Sequence, residues 1–183
     1  NILSSKSEPG TQAIFFASAK SKPELFYLIE FYKDEAAYKK HISSAHFKKF
    51  ASASAEILAS KKAINVKKRA AFSKNLTPER LKDAYFHITN LSLKAKSDAK
   101  FEKIIKKYMQ KSVDEGAYAQ FAFSQKEAPN KWVLVEIYKA EASFESYRHS
   151  ENYKAYAKER AGLIDEFDGF GLKNETSFSK VKF

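Results

Sequence analysis

The sequence predicts an α+β protein made of two tandem βαββαβ copies, and three observations carry that expectation. Sliding the chain against itself by 106 residues lays TQAIFFASAKSKPELFYLIEFYKDEAAY over AYAQFAFSQKEAPNKWVLVEIYKAEASF without a gap. Within each copy, stretches of period-two hydrophobicity alternate with stretches whose apolar residues recur every three or four positions. The 183 residues are 44% hydrophobic and 15% aromatic, enough to bury a core, and five Gly and four Pro exclude collagen-like and low-complexity chains. The repeat pairs Gly10 with Gly116, Phe15 with Phe121, Pro23 with Pro129, Glu30 with Glu136 and Tyr32 with Tyr138, and holds its register to Phe72 with Phe178.

The second copy, residues 84–183, reads in full. Tyr85 to Leu93 is a β-rich strand with Phe86 and Ile88 buried, joined by Leu91 and Leu93. Ser97 or Asp98 caps a helix whose Phe101, Ile104, Ile105, Tyr108 and Met109 share one face and which stops near Gly116. Ala117 to Ser124 and Trp132 to Tyr138 form a hairpin around QKEAPN, with Trp132 in the core. A helical region follows from Glu141 to about Ile164, and Gly169 to Thr176 is the last strand. The result is a sheet with helices on one face.

The first copy, residues 1–74, maps onto this without its first strand, and the linker NLTPERLKD spans 75–83. Ile2 and Leu3 fall opposite Tyr108 and Met109, so the chain opens inside a helix; a sheet short of a strand exposes an unpaired edge, and the expectation is a natural polypeptide beginning at least about 20 residues upstream. In FYLIEFY, Phe26, Leu28, Glu30 and Tyr32 alternate with Tyr27, Ile29 and Phe31, so both faces are largely apolar. Helices cover one face, and the other copy's sheet is the natural cover for the second, giving a pseudo-two-fold barrel within one chain.

Composition excludes several functions. No cysteine is present, which removes disulfides, thiol catalysis and cysteine metal sites and leaves the redox compartment open. No apolar run approaches the roughly 18 residues of a membrane span. The opening NILSSKSEPG does not read as a signal peptide, which makes the cytoplasm the default expectation. The net charge of +11 is concentrated in residues 1–74, with 14 basic and 6 acidic side chains, much of it in KKAINVKKR, Lys61 to Arg69. Neither a helix-turn-helix pattern nor the aromatic signature of an RNA-recognition sheet accompanies it, so no nucleic-acid partner is expected and the excess reads as a solvated, lysine-rich surface.

The EPG turn (Glu8, Pro9, Gly10), the Glu-x-Tyr strand end (Glu30, Tyr32), and the helix from DEAAY to His41 followed by HFKKF (His46 to Phe50) resemble the antibiotic biosynthesis monooxygenase family, including its quinol monooxygenase-like members. LVEIYKAEASFESYRHSENYKAYA is a weaker match. The resemblance implies two ferredoxin-like repeats fused as an intramolecular dimeric α+β barrel, each with a pocket between sheet and helices. Some members oxygenate phenols or quinols without metal or flavin. The haem-degrading branch resembles this chain less, since Tyr32 and Tyr138 stand where it places a tryptophan and Ala51 and Ala157 where it places the iron-binding histidine.

The expected catalytic group is His41, Glu30 and Tyr32. His41, four residues after Ala37, shares the helical face that lines the pocket, and a neutral imidazole there takes a phenolic proton. Glu30 and Glu136 sit between apolar strand neighbours, where an unpaired carboxylate is costly, so each either orients a ligand or makes a structural pair. Tyr138, Glu136, Tyr147, His149 and Asn90 are the ligand-binding candidates of the second copy, Tyr147 standing in the place of His41. His46 reads as a cap or surface residue. His41 and His46 are five apart, off a common helical face, so no metal site is expected. The functional expectation is a cofactor-independent monooxygenase, an oxidoreductase joining a quinol-like or polyphenolic aromatic to molecular oxygen with no cofactor. It is expected to be a monomer with an internal pseudo-dimer, free to form homo-oligomers. A non-catalytic small-ligand-binding or stress-related barrel stays open, and haem binding or degradation is a third reading.

Overall fold

The computed structural model describes residues 1–183. The first copy comprises α1 (Ile2–Lys6), β1 (Thr11–Ala19), β2 (Lys22–Tyr32), α2 (Glu35–Ser43), α3 (Ala45–Ile57) and β3 (Val66–Ser73); α4 (Pro78–Lys82) lies in the linker. The second comprises β4 (Tyr85–Leu93), α5 (Asp98–Glu115), β5 (Ala119–Gln125), β6 (Lys131–Tyr138), α6 (Glu141–Arg148), α7 (Glu151–Arg160) and β7 (Ile164–Ser179). α5 buries the expected Phe101, Ile104, Ile105, Tyr108 and Met109, extends the stripe to Ser112 and Val113, and ends at Gly116, whose φ of 144° suits glycine. The single helical region expected from Glu141 to about Ile164 is corrected to two helices. Ser150 adopts an extended conformation (φ −71°, ψ 156°), its hydroxyl accepts from the Tyr153 amide, and Ile164 already belongs to the last strand.

All seven strands form one curled antiparallel sheet in the order β2-β1-β7-β4-β6-β5-β3. Each copy's last strand crosses to the other copy. β3 pairs with β5, from Val66 opposite Gln125 to Ser73 opposite Ala119. β7 is longer than the 169–176 expected because it pairs twice, with β4 along its first part and with β1 along its second. This exchange is the pseudo-two-fold relation in hydrogen-bonded form. β2 and β3 are the sheet edges, where a first-copy counterpart of β4 would pair, so the expected barrel stands open on that side.

Inside the curl, Phe15, Phe31, Phe86, Phe121, Phe123, Ile137 and Leu172 pack with the linker's Leu76 and Leu81 into a core drawn from both copies. The linker is therefore a plug at the barrel end, fixed by Asn174 Nδ2 donating to the Leu81 carbonyl at 2.6 Å. On the outer face of the second copy, α5 and α7 cover Leu91, Leu93, Trp132 and Leu134. The first copy lacks that cover. Phe26 and Leu28, counterparts of Trp132 and Leu134, are 45% and 38% exposed, which corrects the expectation that β2 is covered on both sides.

The basic run divides between two roles. Lys61, Lys62, Lys67 and Lys68 are exposed, but Arg69 turns inward, donating to Glu102 at 2.8 Å and to Ser124 at 2.9 Å, pairing with Asp98 at 3.1 Å and lying over the Trp132 ring. Losing it leaves Glu102 with Lys106 alone and removes the contacts to Ser124 and Asp98. Arg69→Ala is expected to cost about 1–3 kcal/mol, read as a lower urea midpoint at unchanged m-value. An unmoved midpoint would mean that Arg69 is as solvated as its lysine neighbours.

Candidate functional site

The first-copy site is assembled by a close approach. A Cβ on Gly10 would lie 2.3 Å from the Ala37 Cβ, so only glycine lets the turn before β1 press against α2. That contact carries Glu8 to His41, which is 1% exposed, with Glu8 Oε2 2.8 Å from His41 Nδ1 and accepting from the Thr11 hydroxyl at 2.6 Å. Glu8 Oε1 lies 3.2 Å from His46 Nε2. Burial pushes the Glu8 carboxyl upward, but the hydrogen bonds from Thr11 and His41 outweigh it and hold the group below the usual carboxylate range.

The expectation that a five-residue spacing keeps His41 and His46 apart is thereby corrected. The helix breaks at Ser44 (φ −67°, ψ 152°), which caps α3 by accepting from the Phe47 amide, and the break turns the two imidazoles toward one carboxylate with ring centres 5.6 Å apart. The donor atoms of Glu8, His41 and His46 lie within 4.8 Å of one another, a set able to hold a divalent cation. In the structure the three engage each other, so a cation would have to replace those hydrogen bonds.

On its other side, His41 Nε2 faces Glu30 Oε1 across 3.9 Å. These two atoms and the Tyr32 hydroxyl are all buried, and none makes a hydrogen bond of ordinary length, Glu30 and Tyr32 lying close enough to influence each other. Burial raises the Glu30 carboxyl against the pull of His41, and burial followed by the Glu30 charge raises the Tyr32 phenol. Tyr32 and Phe47 hold the imidazole with ring centres 5.3 and 5.0 Å away. A neutral His41 donating Nδ1–H to Glu8 would keep its Nε2 lone pair free, which is the arrangement of a carboxylate-oriented base. The structure thus brings together His41, Glu30 and Tyr32, at the foot of the open Phe26–Leu28 face.

The second copy keeps the framework and changes the chemistry. It holds a cavity of about 150 Å³ between β4, β6 and the helices, open to solvent on one side and lined by Glu136 and Tyr147 among the expected residues. Tyr138 lies beneath, its hydroxyl donating to Glu136 Oε1 at 3.2 Å and accepting from Gln120 Nε2 at 2.9 Å. Burial and then the Glu136 charge push the Tyr138 and Tyr147 phenols up. Asp114 and the buried Asn152 stand where the first copy has Glu8 and His46. Two candidates lie elsewhere. Asn90 is exposed on the β4 face it shares with Phe86 and Ile88, and His149 is exposed at the end of α6.

His87 takes the wall position instead, stacked on Phe144 at 4.2 Å, its pKa lowered to about 4 by burial and by Arg148. Gln120, Arg148 and Arg160 are further lining residues outside the expected set, as Glu8 is in the first copy. Burial raises the Glu136 carboxyl above the ordinary range, opposed by bonds from Gln120 and Tyr138 and by the charges of Arg148 and Arg160. An acid whose folded pKa lies above its unfolded one costs stability as pH rises past the unfolded value, and the cost is complete above the folded value. Glu136→Gln is therefore expected to raise the melting temperature at pH 7 and to lose that advantage below about pH 4. A constant offset across that range would mean that the carboxyl does not titrate differently in the two states.

Two repeats that exchange their last strands and carry a ligand-sized space between sheet and helices define a tandem α+β barrel of the kind built from fused dimers. The chain matches the family described as antibiotic biosynthesis monooxygenase over residues 1–53 and 84–159, more than half its length, and belongs to that family. No curated protein matches it. Among solved structures it is similar to a protein of Lactobacillus acidophilus provisionally named a monooxygenase (21% identity, TM-score 0.88, covering 97% of this chain and 83% of that one). A Fusobacterium nucleatum protein named in the same way gives 22% identity and TM-score 0.88, with 97% and 82% covered. A protein described as anthrone oxidase-like gives 13% identity and TM-score 0.65, with 94% and 80% covered. At these identities the likeness is one of fold.

Proposed function

We propose that the chain is a monooxygenase acting on a quinol-like or polyphenolic aromatic, with the chemistry at His41, Glu30 and Tyr32. The observation that carries this reading is the convergence of three buried polar atoms without partners, His41 Nε2, Glu30 Oε1 and the Tyr32 hydroxyl, under an apolar strand face. Unpaired buried polar groups are costly and persist where a ligand completes them. A ring stacked on Phe26 and Leu28 would bring its hydroxyl to Glu30 and Tyr32, and His41 Nε2 would receive the phenolic proton. The electron-rich anion then reduces oxygen. A hydroquinone and O₂ give a hydroxyquinone and water, one oxygen atom entering the ring while the substrate supplies every electron, so no external reductant enters the balance. Orientation and proton removal are the protein's contribution.

Oxygen consumption with a panel of hydroquinones, naphthols and anthrones tests the proposal. Uptake above background with one labelled oxygen atom in the product is expected. Absence of uptake with every compound that binds would favour the second reading, a non-catalytic ligand-binding barrel. That reading draws support from one observation, that the cavity and the His41 group lie in different copies.

A further inference from the structure

We infer that the second-copy cavity is a binding site for a single-ring aromatic acid, its carboxylate held by Arg148 and Arg160 and its ring by Phe144, Tyr147 and Tyr153. The two guanidiniums share the cavity lining with one carboxylate, Glu136, and neither makes an ion pair with it. Arg160 makes no ion pair, and its Nε is buried without an acceptor. Arg148 reaches only Glu145, at 4.0 Å and half exposed, which places it at the mouth. Both lie over aromatic rings, Arg160 at 5.0 Å from the centre of Tyr156 and Arg148 at 5.8 Å from that of Phe144, contacts that leave guanidinium N–H groups for an anionic acceptor.

The internal repeat supplies a control within the molecule. The positions matching Arg148 and Arg160 are Ile42 and Ser54, so the charge pair is a property of the second copy alone, while Glu136 and Tyr138 repeat Glu30 and Tyr32. A cavity of about 150 Å³ has room for one benzene-sized ring. Glu136 at the inner wall repels a second anion, which directs the acid group outward to the arginines and leaves a ring hydroxyl facing Glu136, Gln120 and His87.

Calorimetric titration with 4-hydroxybenzoate and its neutral analogue 4-hydroxybenzamide tests this without any turnover, so its failure and that of the monooxygenase proposal are separable. The acid is expected to bind at least tenfold more tightly than the amide and to weaken with added salt. In Arg160→Gln, and more mildly in Arg148→Gln, that preference should vanish with amide binding unchanged, each variant being compared at an unchanged melting temperature. Equal affinity for acid and amide, a parallel loss of both in the folded variants, or no heat from either ligand at millimolar concentration would overturn the assignment.

Discussion

Phe121→Ala is expected to cost about 3–5 kcal/mol and to lower the stability of both copies together, as one transition. Phe121 is fully buried at the centre of the curled sheet, with ring centres 4.9 Å from Phe31, 5.1 Å from Phe183 and 5.9 Å from Phe15. Phe15 and Phe121 are the same position of the repeat, so their meeting marks the pseudo-two-fold axis, and a cavity there removes packing from first-copy and second-copy strands alike. Because β3 pairs with β5 and β7 with β1, neither copy can unfold and leave the other's sheet intact. Urea unfolding followed by circular dichroism and by Trp132 fluorescence should give coincident curves displaced to a lower midpoint. Separate transitions for the two probes would mean that the copies are independent domains.

His41→Gln is the second large effect, with kcat for oxygen uptake expected to fall by about 10²–10⁴ while KM changes little. Glutamine preserves much of the volume and can still meet Glu8, but it offers no basic nitrogen at the Nε2 position facing Glu30. Glu8→Gln should act more weakly and through His41, since an amide no longer fixes which ring nitrogen carries the proton. A fall in both variants confined to KM would assign the pair to substrate binding and remove proton transfer from the account.

The repeat made most of the fold legible. Matching Phe15 to Phe121 and Glu30 to Glu136 gave the element order, the strand faces and the pseudo-two-fold relation, because a duplicated module repeats the same pattern of strands and helices. The strand end and the capped helix likewise placed Glu30, Tyr32 and His41 near one another. What stayed hidden depended on breaks and on two-sided burial. His46 looked remote from His41 because a five-residue spacing was judged by the faces of a continuous helix, although Ser43-Ser44 already read as a helix start. Strand β4 is buried on both faces, so alternation could not say whether His87 or Asn90 met the cavity. Arg148 and Arg160 lie in polar helices among many other basic residues, and only the contrast with Ile42 and Ser54 sets them apart. The strand exchange, which lengthens β7 to Ser179, left no local signal.

The most direct test of the central claim is labelled-oxygen incorporation by the wild-type chain, His41→Gln and Glu136→Gln, side by side on the best substrate of the panel. The account predicts one labelled atom in the wild-type product, near-complete loss in His41→Gln and retention in Glu136→Gln. Unchanged incorporation in His41→Gln, with loss in Glu136→Gln, would contradict it and move the reaction to the second-copy cavity.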